Sequence, residues 1–184
     1  EQQGIPYQDI GPLVFKKGFT RRFIDGKAPT SSELLAEISV TIDQLAQNKA
    51  LVIIDGVGHP AVGSVVGVSN AEVASAFACK IFFVANPGIG AAIDNAVLGI
   101  SFLQAKGLNN IGVIFNKIPS ASLEATRHYV SKRLPELLPD VKLLGFIGEE
   151  PIITNDFSKV LDQNWFSTWI DIKSMEKWLG LKLT

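Results

Sequence analysis

Four short runs of apolar, largely β-branched residues mark out the chain: Leu51 to Ile54, Ile81 to Ala85, Ile111 to Phe115 and Leu143 to Ile147. Each is closed within a few residues by Gly, Pro or Asn, and a longer stretch at helical spacing follows. Nearly unbroken apolar runs suit strands covered on both faces. Their alternation with helical segments predicts an α/β fold, a three-layer α/β/α arrangement around a mainly parallel sheet with all four runs as core strands.

Between the runs, Thr30 with Glu33 has the capping-box pattern and opens a helix predicted through Gln47, with Leu34, Leu35, Ile38, Ile42 and Leu45 on one face. Ser69 with Glu72 opens a shorter helix through Phe77. A third is expected from Ala91 to Lys106, stopped by Gly107. A fourth covers Leu123 to Leu134, where Pro135 and Pro139 are expected to halt it. Near the end, Ser174 to Leu179 suits a short amphipathic helix, and Trp165, Trp169 and Trp178 are expected to lie over the core as a lid. Before Thr30 the pattern is less regular. Leu13 to Phe15 fits a strand, and Lys16 to Lys27 reads as a basic, glycine-containing loop. With no repeat, low-complexity tract or linker, residues 1–184 are expected to form a single domain.

Composition narrows the function classes. A chain of 184 residues with 47% hydrophobic content can fill a core, which excludes a disordered protein. Lys+Arg 17 against Asp+Glu 18 leaves a net charge of −1, without the basic excess that drives non-specific nucleic-acid binding. The single Cys79 forms no internal disulfide, and one thiol with two histidines does not assemble a usual structural zinc site. A reducing, cytoplasmic setting is the expectation. No run of 18 uncharged apolar residues predicts a membrane span. The one methionine is Met175, so the chain as given has no initiator and is expected to be a processed product or a fragment.

Ligands of doubly wound sheets bind beyond the carboxyl ends of the strands, so the residues after each run are the ones that matter. These are Asp55-Gly56-Val57-Gly58-His59-Pro60-Ala61-Val62-Gly63-Ser64, Asn86-Pro87-Gly88-Ile89-Gly90, Asn116-Lys117-Ile118-Pro119 and Gly148-Glu149-Glu150-Pro151. Asp55 suits a magnesium ligand held at a strand end, and equally an Asx turn before Gly56. Gly56, Gly58 and Gly63 would let backbone amides approach an anion. Gly56-Val-Gly58-His-Pro-Ala61 fits a dinucleotide pattern, but Pro60, Gly63 and Gly67 keep a helix from starting where that motif needs one. Gly58 and Gly63 have Walker A spacing with Ser64-Val65 in place of Lys-Ser/Thr, so no Walker A motif is present. Asn116 suits recognition of a purine edge or simply ends a strand, with Lys117 beside it as a candidate catalytic cation. His59 is a candidate acid/base group or a surface hydrogen-bonder. Lys16, Lys17, Arg21, Arg22 and Lys27 form a basic cluster open to phosphate, carboxylate or water alone.

The sequence Val-Ile-Ile-Asp55-Gly-Val-Gly-His-Pro-Ala-Val-Gly-Ser, followed by Ser69-Asn-Ala-Glu-Val-Ala, by Gly88-Ile-Gly with Ile93-Asp94, and by Val-Ile-Phe-Asn116-Lys, resembles the dethiobiotin-synthetase-like P-loop ATPases. It is similar above all to the branch also found as the N-terminal domain of some phosphate acetyltransferases. Gly18-Phe-Thr-Arg21 with Ile24-Asp-Gly26 shares in the likeness, which covers about Lys16 to Pro151. The resemblance implies a P-loop-NTPase-like parallel sheet binding ATP and Mg2+ at its carboxyl edge. Asp55 stands where the family's magnesium-binding Glu lies, Gly56 and Gly58 match glycines of that loop, Asn116 matches the adenine-reading asparagine, and Gly88 and Gly90 match a glycine loop near substrate and dimer partner. His59-Pro60 replaces further glycine, so the family's substrate does not carry over and the second small-molecule substrate is unknown. In the family a Walker A loop and a second phosphate-contacting lysine precede these motifs. The chain is therefore expected to be the C-terminal portion of a larger ATPase domain, completed by that segment or by a homodimer contact. Two functions follow: an ATP- and Mg2+-dependent ligase or phosphoryl-transfer enzyme, or a non-catalytic regulatory or scaffolding module with a degenerate ATPase fold.

Overall fold

A computed structural model describes residues 11, 13–149 and 169–182. By its own internal contacts the chain divides into two compact units, Glu1–Ala78 and Cys79–Thr184.

In the first unit, α1 (Phe19–Ile24) is a six-residue helix with a Phe15–Phe19–Phe23 ladder of stacked rings along it. Helix α2 (Ser31–Ala46) starts where the sequence places it, because both halves of its capping box form. The Thr30 hydroxyl accepts from the Glu33 N–H, and the Glu33 carboxylate accepts from the Thr30 N–H at 2.7 Å. Leu34 and Ile38 bury the inner face of α2. A 3-10 turn, Ser64–Val66, packs against α1, and the Ser31 hydroxyl donates to the Val66 carbonyl at 3.0 Å. Helix α3 (Asn70–Ala76) is opened by the second capping box, with Ser69 fully buried beneath it.

The second unit is built on a parallel three-stranded sheet of order β1 (Ile81–Ala85), β2 (Ile111–Ile118), β3 (Lys142–Gly148). Helix α4 (Gly90–Ala105) packs on β1, and α5 (Leu123–Leu137) packs on β3 and on α4. Successive strand residues face opposite sides. Val113 and Phe115 are thus turned to one face, while Ile114 joins Leu144, Ile170 and Met175 on the other under α6 (Ile172–Leu179). Helices on both faces of a parallel sheet make the expected three layers. Trp169 and Trp178 cover this second cluster as a lid, and Gly112 leaves room for Leu144 and the Trp178 ring. Lys80 ties the start of β1 to the end of α6 by donating to the Trp178 and Leu179 carbonyls, a cation placed at a helix C-terminus.

Five expectations are corrected. Leu51 to Ile54 is not a strand: residues 51–57 carry no regular secondary structure and Ile53 is 82% exposed. An apolar run becomes a strand only with a ladder partner, and the sheet of the described residues consists of β1, β2 and β3. Leu13 to Phe15 likewise forms no strand, and part of the basic loop after it is helix α1. Pro135 does not halt α5, which continues to Leu137. Pro135 forgoes its own bond to the carbonyl four residues back, but the turn after it still closes, with the Leu138 N–H donating to the Leu134 carbonyl at 2.9 Å. Strand β2 runs on past Phe115 to Ile118, taking Asn116 and Lys117 into the sheet. Trp165 and the Glu150-Pro151 portion of the fourth loop lie outside the described residues.

Candidate functional site

The predicted site residues fall in both units. Asp55, Gly56, Gly58, His59 and Gly63 belong to the first, and Gly88, Gly90, Asn116 and Lys117 to the second. Each group has its own local construction.

In the first unit the segment from Gly56 to Asn70 folds on itself. Backbone bonds run from Val62 N–H to the His59 carbonyl, Ser64 N–H to Ala61, and Asn70 N–H to Val62. Gly63 sits at φ 98°, and a Cβ there would lie 2.6 Å from the Val68 carbonyl oxygen, so only glycine closes this turn. His59 Nδ1 accepts from the Ala61 N–H at 3.3 Å. A neutral imidazole that accepts at Nδ1 carries its proton on Nε2, which makes His59 a hydrogen-bond donor toward any ligand in this arrangement. Asp55 is exposed at the mouth of the loop. Asn70, which lies in a motif of the family resemblance but is given no role of its own there, binds the loop from a distance of thirteen residues. Its Nδ2 donates to the carbonyls of both Val57 and His59, each at 2.9 Å.

In the second unit the parallel register aligns Ala85 with Phe115 and Phe115 with Phe146, so the residues that follow lie at one carboxyl edge. There Gly88 turns the chain at φ 112°, and α4 starts at Gly90 with Ile89 as an N-cap lacking any side-chain cap bond. A Cβ at Gly88 or Gly90 would meet nothing within 4 Å, so the helix N-terminus is sterically open, with N–H groups toward a passing anion. Asn116 and Lys117 form a bulge between the Phe115–Phe146 and Ile118–Gly148 pairs, two residues opposing Ile147 alone. Lys117 takes a left-handed φ of 56°, and its N–H donates to Asn116 Oδ1 at 2.8 Å. Non-glycine residues in that region are strained and concentrate at functional sites. The bulge leaves Asn116 half-buried with one Oδ1 lone pair and both Nδ2 protons to offer, while Lys117 is exposed. Cys79, at the start of this unit, is pushed up by burial and stays a protonated thiol at neutral pH, so no nucleophile is found there.

A family model described as an AAA domain matches residues 2–156. The chain belongs to this AAA-domain family. The family includes dethiobiotin-synthetase-like proteins, which bears out the resemblance carried by the loops and the P-loop-NTPase-like fold class. An ATP-dependent dethiobiotin synthetase (BioD) of Methanococcus vannielii is 22% identical to the chain over 154 residues, covering 84% of the chain and 72% of the relative. No solved structure matches the chain.

Three loop groups can be compared with what Mg2+, a purine base and an anion require. Mg2+ is commonly held by one or two carboxylates together with waters and substrate phosphates. Asp55 is one exposed carboxylate of that ligand type. For a purine, the Asn116 amide carries the donor and acceptor pair that matches an adenine N7/N6 edge. For a phosphate or carboxylate, the uncapped N-terminus of the 16-residue helix α4 provides aligned N–H groups. No helix among the described residues is long and apolar enough to cross a membrane.

Proposed function

We propose that the chain handles nucleotide in an ATP- and magnesium-dependent ligase or phosphoryl-transfer enzyme of the dethiobiotin-synthetase type. One observation carries the reading: the strained Asn116–Lys117 bulge and the open Gly88–Gly90 helix start share one carboxyl edge, in a family where a relative is named as an ATP-dependent synthetase. Asn116 reads the adenine, and Gly56, Gly58, Gly88 and Gly90 let backbone amides approach phosphate or the second substrate, while Gly63 closes the turn that follows Gly58. Asp55 holds Mg2+, which when bound withdraws charge from the phosphate oxygens. Lys117 adds positive charge where the transferred group accumulates negative charge, and His59 donates through Nε2. A small-molecule second substrate, a homodimer and a cytoplasmic location without nucleic-acid or membrane partners belong to the same proposal.

Calorimetric titration of the full-length protein with Mg-ATP tests it. The wild type is expected to bind. Asp55→Ala should abolish the Mg2+ requirement along with most of the affinity, and Asn116→Ala should weaken ATP by about tenfold, the value of a lost polar contact or two, while narrowing the preference over GTP. No heat from the wild type, or equal affinity in both variants, overturns the reading. A second reading is binding without turnover in a regulatory module. Phosphate release by a protein that binds Mg-ATP separates the two.

A further inference from the structure

The Asp55–His59 segment has no regular secondary structure, yet it must present a carboxylate and backbone amides in one arrangement if it is to bind anything. What fixes it comes from α3. Asn70 is the first residue of that helix, and its position is set by the neighbouring Ser69–Glu72 capping box, with the Glu72 carboxylate accepting from the Ser69 N–H at 2.8 Å. From this anchored start the Asn70 carboxamide spends both Nδ2 protons on the loop, one on the Val57 carbonyl and one on the His59 carbonyl, each at 2.9 Å. Those two carbonyls flank Gly58, whose left-handed φ of 71° turns the chain between them. On the same side, a Cβ at Gly56 would come within 3.2 Å of Asn70 Cγ, so the missing side chain is what lets the amide seat against the loop. Two carbonyls that would otherwise point apart are thereby held on one nitrogen.

We propose that Asn70 is the positioning residue of the Asp55–His59 loop, its two amide protons selecting the single loop conformation that presents Asp55 and the Gly56–Gly58 backbone to ligand. The residue touches no ligand itself. It acts through the loop, and its bearing on Mg-ATP rests on the function proposed above.

A donor role and a packing role predict opposite orders for two substitutions. Asn70→Asp keeps the shape but replaces both donors with acceptors facing two carbonyl oxygens. Asn70→Ala removes the donors without adding repulsion and suits the first turn of a helix. If the donors matter, Asp is as damaging as Ala or worse; if only the space is filled, Asp behaves as Asn does. The readout is the amide spectrum of isotopically labelled full chain, which needs no ligand. Wild type should show single, sharp Gly56 and Gly58 resonances and slowed exchange of the Asn70 side-chain protons. Both variants should split or broaden these resonances while the β2 amides stay unchanged, showing that the fold persists. Loop resonances unchanged in both variants, or altered in Ala but not in Asp, overturn the proposal. Titration with Mg-ATP then reads the consequence, an expected loss of about tenfold or more, equivalent to one or two net hydrogen bonds. A wild type silent toward Mg-ATP sinks the proposed function, while the loop spectra still decide the role of Asn70. Wild-type binding with undiminished affinity in Asn70→Asp sinks the positioning role alone.

Discussion

At Gly63 two demands meet in one residue: a backbone at φ 98°, and the Val68 carbonyl oxygen standing where a Cβ would lie. Because the obstructing Val68 oxygen belongs to the backbone, no rotamer relieves the contact, and the turn itself has to move. Gly63→Ala is therefore expected to destabilise the first unit by about 3 kcal/mol, strain and clash together, as read from the urea midpoint of the full chain. Gly88→Ala is the control, since its φ of 112° is strained but its surroundings are empty within 4 Å, and about 1 kcal/mol is expected there. A Gly63 variant no weaker than the Gly88 variant would show that the Val68 contact yields freely. The sequence reading takes Gly63 as a glycine that admits an approaching anion, and the family resemblance places Gly88 in a glycine loop near substrate and dimer partner. Only the coordinates show that Gly63 serves the turn's own closure, whereas Gly88 keeps a helix start open.

Helix starts are the elements written most plainly in the chain, because a capping box is local chemistry between residues three apart. Thr30 with Glu33 and Ser69 with Glu72 each fold as their spacing requires. Strand formation depends on a partner far away in sequence, and there the reading divides. The runs beginning at Ile81, Ile111 and Leu143 find one another, while Leu51 to Ile54, equally apolar, stays irregular and exposed. The Asn116–Lys117 bulge is invisible for the same reason, since it arises from register against β3 rather than from the two residues themselves. The local caps yield a pH prediction. Hydrogen bonds from the Thr30 backbone and hydroxyl hold the Glu33 carboxyl below its ordinary value of 4.5, and those from Ser174 do the same for Asp171 at the start of α6. A carboxyl whose folded value is depressed adds stability above its unfolded value and loses it as pH falls through the folded one. Wild-type stability should thus decline on the acid side of about pH 4.5, and Glu33→Ala should flatten part of that decline while lowering the plateau at neutral pH. Thr30→Ala, which removes the reciprocal half of the box, is expected to cost about 1 kcal/mol near neutrality. An acid slope identical in wild type and Glu33→Ala would mean that the box is not formed in solution.

For the molecule as a whole, local stability should follow the way burial is distributed within each unit. Strand β2 lies between β1 and β3, and Ile111, Val113, Phe115 and Ile118 are each at most 1% exposed, so its amides are hydrogen-bonded on both sides under two layers of helix. Breaking those bonds one at a time gains no solvation, because water does not reach them until the layers separate. Exchange at Val113 and Phe115 should accordingly require unfolding of the entire second unit and be the slowest in the chain. Residues 51–57 stand at the other limit: Ile53 is 82% and Val57 73% exposed, and no ladder holds their backbone. Apart from Val57 and its neighbours under Asn70, this segment should exchange within the first time points of a native-state hydrogen-exchange experiment. Phe115→Ala sharpens the test. Removing a fully buried ring costs about 3 to 5 kcal/mol, and the loss should appear as a uniform drop in protection across β1, β2 and β3, with residues 51–57 unaffected because their opening was never limited by that core. Strong protection at Leu51 to Ile54 in the wild type, falling together with β2 in the Phe115 variant, would instead reveal a fourth strand sharing the cooperativity of the sheet, the arrangement that the hydrophobic pattern alone predicts.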